Sequence, residues 1–165
     1  MQKENMNSFK RREQETGERK ILLGVIGERI VAHHLRKAGH VVEESLNVYD
    51  SEKDMLVDGL PVEVKTQVPI MIEDSFGIAL SQKAKIFGCH RVYFVSVPLK
   101  NTDELAGCIF EMDPKDPDLK AHRWETNEGR PMVCFPRRQK SLKLIYQITD
   151  LDILEQLRKL STSYL

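Results

Sequence analysis

The pair Asp58-Gly59, set between the short apolar runs 55–57 and 60–64, constrains this chain more than any other feature. A two-residue loop of this composition favours a type I′ turn, because both central positions need φ > 0. The turn fixes a hairpin register: Val57 opposite Leu60, Met55 opposite Val62, Asp54 opposite Glu63. Directly opposed residues share a face, with Cβ atoms roughly 4.5–5.5 Å apart. Asp54 and Glu63 would then stand side by side, which repels unless a cation lies between them. Hard divalent cations take such oxygens. Alternation along the second strand adds Lys65 and Gln67 to the Glu63 face and sends Val62, Val64 and Thr66 to the other. Two carboxylates, a lysine and a metal suit phosphodiester chemistry. Glu63-Val64-Lys65 taken alone is also a common solvent-facing strand pattern, and it is the register that favours a site. Pro61 lacks a donor, which the inner ladder of the hairpin does not need and the outer one does.

Upstream, residues 17–38 read as a helix. Leu23, Gly27, Val31, Leu35 and Ala38 form a stripe of period 3.6, Gly39 terminates it, and Gly24 and Gly27 leave room for a sheet to approach. Glu28 lies beside that stripe. It either binds something or pairs with a surface Arg or Lys at the stripe's edge. Residues 1–16 are polar, a tail or a solvated first helix. After a short strand near 40–44 comes the hairpin. Residues 68–74 contain Pro69 and read as a loop or an edge extension. Residues 81–87 read as a helix capped by Ser81 and ended by Gly88. The nearly continuous apolar run 91–97 reads as a strand buried on both faces. Strand, helix and strand here make a βαβ unit with parallel strands. Farther on, strands are expected over 105–112, 121–126, 131–136 and 142–148, the middle two forming a hairpin around Asn127-Glu128-Gly129-Arg130. A last helix, capped by Thr149 or Asp150, would place Leu151, Leu154, Leu157 and Leu160 on one face.

The 165 residues fit one domain with a real core. The 25 basic and 25 acidic residues cancel, so any nucleic-acid contact must come from a local patch. Cys89, Cys108 and Cys134 show no metal-ligand spacing and read as reduced thiols. The polar N-terminal stretch has no secretory pattern, and no apolar run approaches the roughly 18 residues that span a bilayer. The expectation is a cytoplasmic protein without a membrane partner.

The order is a helix with Glu28, a strand, Asp54, the hairpin, Glu63-Val64-Lys65, a helix and a buried strand. It resembles the PD-(D/E)XK nuclease superfamily. Gly27-Glu28-Arg29 with Leu35-Arg36-Lys37-Ala38-Gly39-His40-Val41-Val42 is similar to the opening of archaeal-type Holliday junction resolvases and of related phage or restriction-like endonucleases. The resemblance covers about residues 20–97, and Lys53 stands where many members carry a proline before the aspartate. It implies an α/β fold with a restriction-endonuclease-like core. In that core a mixed central sheet is flanked by helices (α-β-β-β-α-β), within a single domain over 17–165 whose residues 98–165 form a β-rich extension and a final helix.

The resemblance further implies a Mg²⁺- or Mn²⁺-dependent DNA endonuclease, working as a homodimer on duplex or branched DNA. Asp54 and Glu63 would hold the metal, and Glu28 would complete its site. Lys65 would position or activate the attacking water, and Gln67 would orient lysine, water or substrate. Lys83 and Lys85, on the helix after the active strand, would contact the nucleic-acid backbone. Arg137 and Arg138 either contact phosphates or belong to a solvated hairpin end. The alternative is a catalytically silent accessory subunit of the same fold that binds DNA or a protein. A third reading is an unrelated α/β interaction module.

Overall fold

The glycine at the end of the first helix sets where the sheet can begin. Helix α1 (Gln2–Lys37) stops in a Schellman arrangement, with Gly39 at φ 96° and the His40 amide reaching back to the Leu35 carbonyl at 3.0 Å. The structure, a computed structural model, describes residues 2–44, 55–70, 72–98 and 103–162. α1 is longer at its N-terminus than the apolar stripe predicts: residues 2–16 are helical as well. The stripe is buried through Leu23, Gly27, Val31 and Leu35, whereas Ala38 lies past the helix and is exposed. Of the two stripe glycines, Gly27 makes the close approach. Its Cα lies so near Thr66 that a Cβ would meet the threonine Oγ1, whereas a Cβ on Gly24 would meet no described atom within 4 Å.

After β1 (Val42–Glu44) the chain forms the expected hairpin of β2 (Met55–Val57) and β3 (Leu60–Gln67). Asp58 and Gly59 have φ of 51° and 79°, and the pairs are Val57–Leu60, Leu56–Pro61 and Met55–Val62. β3 runs parallel to β5 (Arg91–Ser96), from Val62–Arg91 to Gln67–Ser96. Pro61 therefore falls just outside that ladder, and its carbonyl accepts the His90 amide at 2.8 Å. The C-terminal part of the chain supplies β6 (Cys108–Met112) and β9 (Leu142–Gln147), both antiparallel. The central sheet is thus six-stranded and mixed, in the order β1-β2-β3-β5-β6-β9.

A second sheet of three strands was not foreseen. β4 (Ser75–Ala79) pairs with β8 (Pro131–Pro136), and β8 with β7 (His122–Glu125). A short 3₁₀ turn (Leu80–Gln82) leads from β4 into α2 (Lys83–Phe87). Ser81 thus sits inside the turn and caps nothing; Gln82 occupies the cap position and makes no side-chain capping bond. α3 (Leu151–Thr162) is capped by Asp150, whose Oδ1 accepts the amides of Asp152 and Ile153 at 2.9 and 3.2 Å. On it Leu157 is buried, Leu154 and Leu160 are half-buried, and Leu151 is exposed.

The register of β3 assigns its two faces to two different cores. Val62 and Val64 join Leu23, Val31 and Leu35 of α1 and Leu157 of α3 on one side of the central sheet. On the other side Val92, Phe94 and Phe110 pack against Phe76 of β4, Ile86 of α2 and Phe135 of β8. Phe76 stacks on Phe94 with ring centroids 4.6 Å apart. The result is three layers: helices α1 and α3, the mixed sheet, then α2 with the small sheet. No helix among the described residues is long and apolar enough to cross a membrane.

Candidate active site

Parallel pairing sets Glu63 opposite Val92 and Lys65 opposite Phe94. Both β3 side chains therefore point into the layer that holds α2, as the alternation predicts. Glu63 is only 1% exposed. A carboxylate so deep must be paired. Lys65 Nζ lies 3.0 Å from Glu63 Oε1. A second ammonium comes from α2: Lys85 Nζ is 3.4 Å from Oε1 and 3.3 Å from Oε2. Among the described residues Oε2 nevertheless has no hydrogen-bond partner, since its approach to Lys85 is an ion pair without hydrogen-bond geometry.

A buried carboxylate oxygen left without a donor is costly unless something else takes it. A hard cation such as Mg²⁺ or Mn²⁺ binds oxygens of this kind, so the orphaned Oε2 fits the metal that the sequence resemblance implies. Among the described residues no group of three His, Cys, Asp or Glu could hold a metal by itself. Asp54, expected beside Glu63, lies outside the described residues. Glu28 is half-buried on α1 next to Gly27, whose helix packs on the Val62, Val64 and Thr66 face of β3, so the structure sets it across the sheet from Glu63 and does not bring the two together.

Gln67 serves a purpose other than the expected one. Its amide closes a two-bond ring on the backbone of Gly77: Nε2 donates to the Gly77 carbonyl at 2.9 Å, and Oε1 accepts the Gly77 amide at 2.8 Å. With both ends of the amide committed to β4, Gln67 does not orient lysine, water or substrate. It ties the central sheet to the small one, directly behind α2.

The proposed phosphate contacts divide. Lys85 belongs to the Glu63 cluster. Lys83 is exposed, with its Nζ 5.8 Å from the centre of the Phe87 ring. Arg137 is corrected outright: it is 2% exposed, and its guanidinium is spent on Asp74 at 2.7 Å, Asp103 at 3.0 Å and Ser96 Oγ at 3.2 Å. No phosphate can reach it. Burial alone would lower its pKa, but the hydrogen bonds it donates to Asp103 and Asp74 outweigh that and push it up. Arg138 is exposed and held by Asp74 at 2.9 Å and Glu104 at 2.7 Å. For Asp74, burial would raise the pKa, but the bonds from both arginines outweigh it and hold the carboxyl below its usual range.

Lys85 is the site residue whose role the sequence hid. It precedes Ile86, which is fully buried against the β5 face. A lysine beside the one buried residue of a short crossover helix is the signal that could have placed it at the site. Compared with known proteins, the chain matches no protein-family model, no curated protein and no solved structure.

Proposed function

We propose that this chain is a metal-dependent nucleic-acid phosphodiesterase, a DNA endonuclease of the PD-(D/E)XK type built on a restriction-endonuclease-like core. The observation that carries the reading is the buried Glu63, flanked by two ammoniums and left with one oxygen unsatisfied. Glu63 would hold Mg²⁺ or Mn²⁺ together with Asp54, whereas Glu28, on the α1 side of the central sheet, stands apart from it. When bound, such a cation lowers the pKa of its water and polarises a phosphoryl oxygen. Lys65 stands two residues from Glu63 on the same strand face, where its ammonium can orient the attacking water and offset charge that develops on the phosphate. The β3–β5 ladder on one side and the Gln67–Gly77 link on the other hold this face rigid. Duplex or branched DNA is the substrate class, and a homodimer would carry two such sites to two strands.

One observation favours a second reading, a silent accessory subunit of the same fold. Two lysines already neutralise Glu63, so the carboxylate can remain buried with no metal at all. Cleavage of branched, duplex and single-stranded DNA with Mg²⁺, Mn²⁺ or EDTA separates the two. The nuclease reading expects metal-dependent cutting that falls by about a hundredfold or more in Asp54→Asn and in Lys65→Ala. Intact, folded protein that binds DNA but cuts none of these substrates with either metal would leave the accessory role.

A further inference from the structure

We propose that Lys85 is the resident counter-charge of this site, holding Glu63 while no divalent cation is bound and competing with that cation for Oε2. The inference rests on the metal-site reading of Glu63.

Three observations support it. First, among the described residues two ammoniums flank Glu63, Lys65 at 3.0 Å and Lys85 at 3.3 Å. A positive charge held this close to Oε2 opposes entry of another cation there. Second, the two lysines divide the carboxylate. Lys65 takes Oε1, while Lys85 straddles both oxygens and leaves Oε2 neutralised but without a hydrogen bond. Oε2 is therefore both the atom that lacks a donor and the atom Lys85 stands against. Third, the lysines differ in attachment. Lys65 belongs to a long strand and is paired there with Phe94 of β5. Lys85 reaches in from a five-residue helix on a flexible stem and is 27% exposed along its side chain, so it can withdraw toward solvent. Lys85 would thus set the cation concentration at which the site loads.

The test measures Mn²⁺ binding by calorimetry on metal-stripped wild type, Lys85→Met and Lys85→Arg, with circular dichroism to establish folding and Tm recorded with and without Mn²⁺. Lys85→Met should bind Mn²⁺ about tenfold more tightly than wild type, because a like charge has been removed. Lys85→Arg, which keeps the charge, should stay within a few-fold of wild type. If Lys85→Met fails to fold, Lys85→Gln takes its place with the same expectation. Unchanged or weaker Mn²⁺ binding in the neutral variant, with wild type binding normally, overturns the counter-charge role and leaves the nuclease reading standing. A lowered Tm with unchanged affinity has the same meaning: Lys85 then merely tethers α2. No Mn²⁺ binding by wild type overturns the metal site itself, and this inference with it.

Discussion

Arg137 and Arg138 are neighbours in one basic run, yet one is buried and the other solvent-facing. The difference comes from partners far along the chain: Asp74 is 63 residues away from Arg137 and Asp103 is 34 away. Nothing local announces such pairing, so the two arginines could not be told apart in the sequence. Replacing Arg137 with Met leaves Asp103 buried and uncompensated, and the expected cost is about 3–5 kcal/mol in urea unfolding; Arg138→Met, at the surface, should shift the unfolding midpoint far less. Gly27 was legible, because a glycine on an apolar helix stripe implies a close approach, although the sequence could not say that Gly27 and not Gly24 makes it. An alanine at Gly27 would bring its Cβ against Thr66, whose branched side chain has little freedom to turn away. Gly27→Ala should destabilise by about 1–3 kcal/mol, and by less in a Thr66→Ala background, as a double-mutant cycle would read. Glu63 and Lys65 were legible as a pair because strand alternation is a local rule. Lys85 joins them through the packing of α2, for which the only local signal is the buried Ile86 beside it.

At the scale of elements, the legible pieces are those whose own residues dictate their shape. The β2–β3 hairpin follows from its turn, with the register expected, and α3 follows from Asp150 and its leucines. β5 follows from a run that is apolar on both faces. β4 fails this test. Its five residues, Ser75-Phe76-Gly77-Ile78-Ala79, are buried on both faces except at the last, so they show no alternation, and they carry a glycine at the centre. What makes them a strand is the β8 edge on one side and the Gln67 amide on the other. Gln67→Leu keeps much of the bulk but strips the Gly77 amide and carbonyl of their partners. It should cost about 1–3 kcal/mol, with faster hydrogen exchange at Gly77 than at Val92 or Phe94 as the local signature.

For the whole molecule, an α/β fold with a mixed sheet was legible and the second sheet was not, since strand pairing over long separations leaves no trace in local pattern. Stability should be bounded by titration at both ends of the pH range. Hydrogen bonds from His40 to Asp58 and from both arginines to Asp74 keep these carboxyls more acidic folded than unfolded. Their contribution is complete above pH 3.8, the ordinary value, and is lost as the pH falls through the folded values. Tyr93 acts in the opposite sense. Burial and the Glu111 carboxylate, which accepts its hydroxyl at 3.0 Å, raise its pKa, so its contribution holds below pH 10.0 and is lost as the pH rises beyond it. Thermal melts should therefore fall off below about pH 4 and above about pH 10, with the acid limb shallower in Asp74→Asn and the alkaline limb shallower in Tyr93→Phe. The link between β4 and β8 has a further consequence during synthesis. β4 and the helix that carries Lys85 leave the ribosome long before Pro131–Pro136, the strand that pairs with β4. The nascent chain can form its hairpin early, but the layer behind Glu63 closes only once β8 has emerged. A chain interrupted before β8 would therefore carry the acidic and basic residues of the site without the wall that brings them to bear.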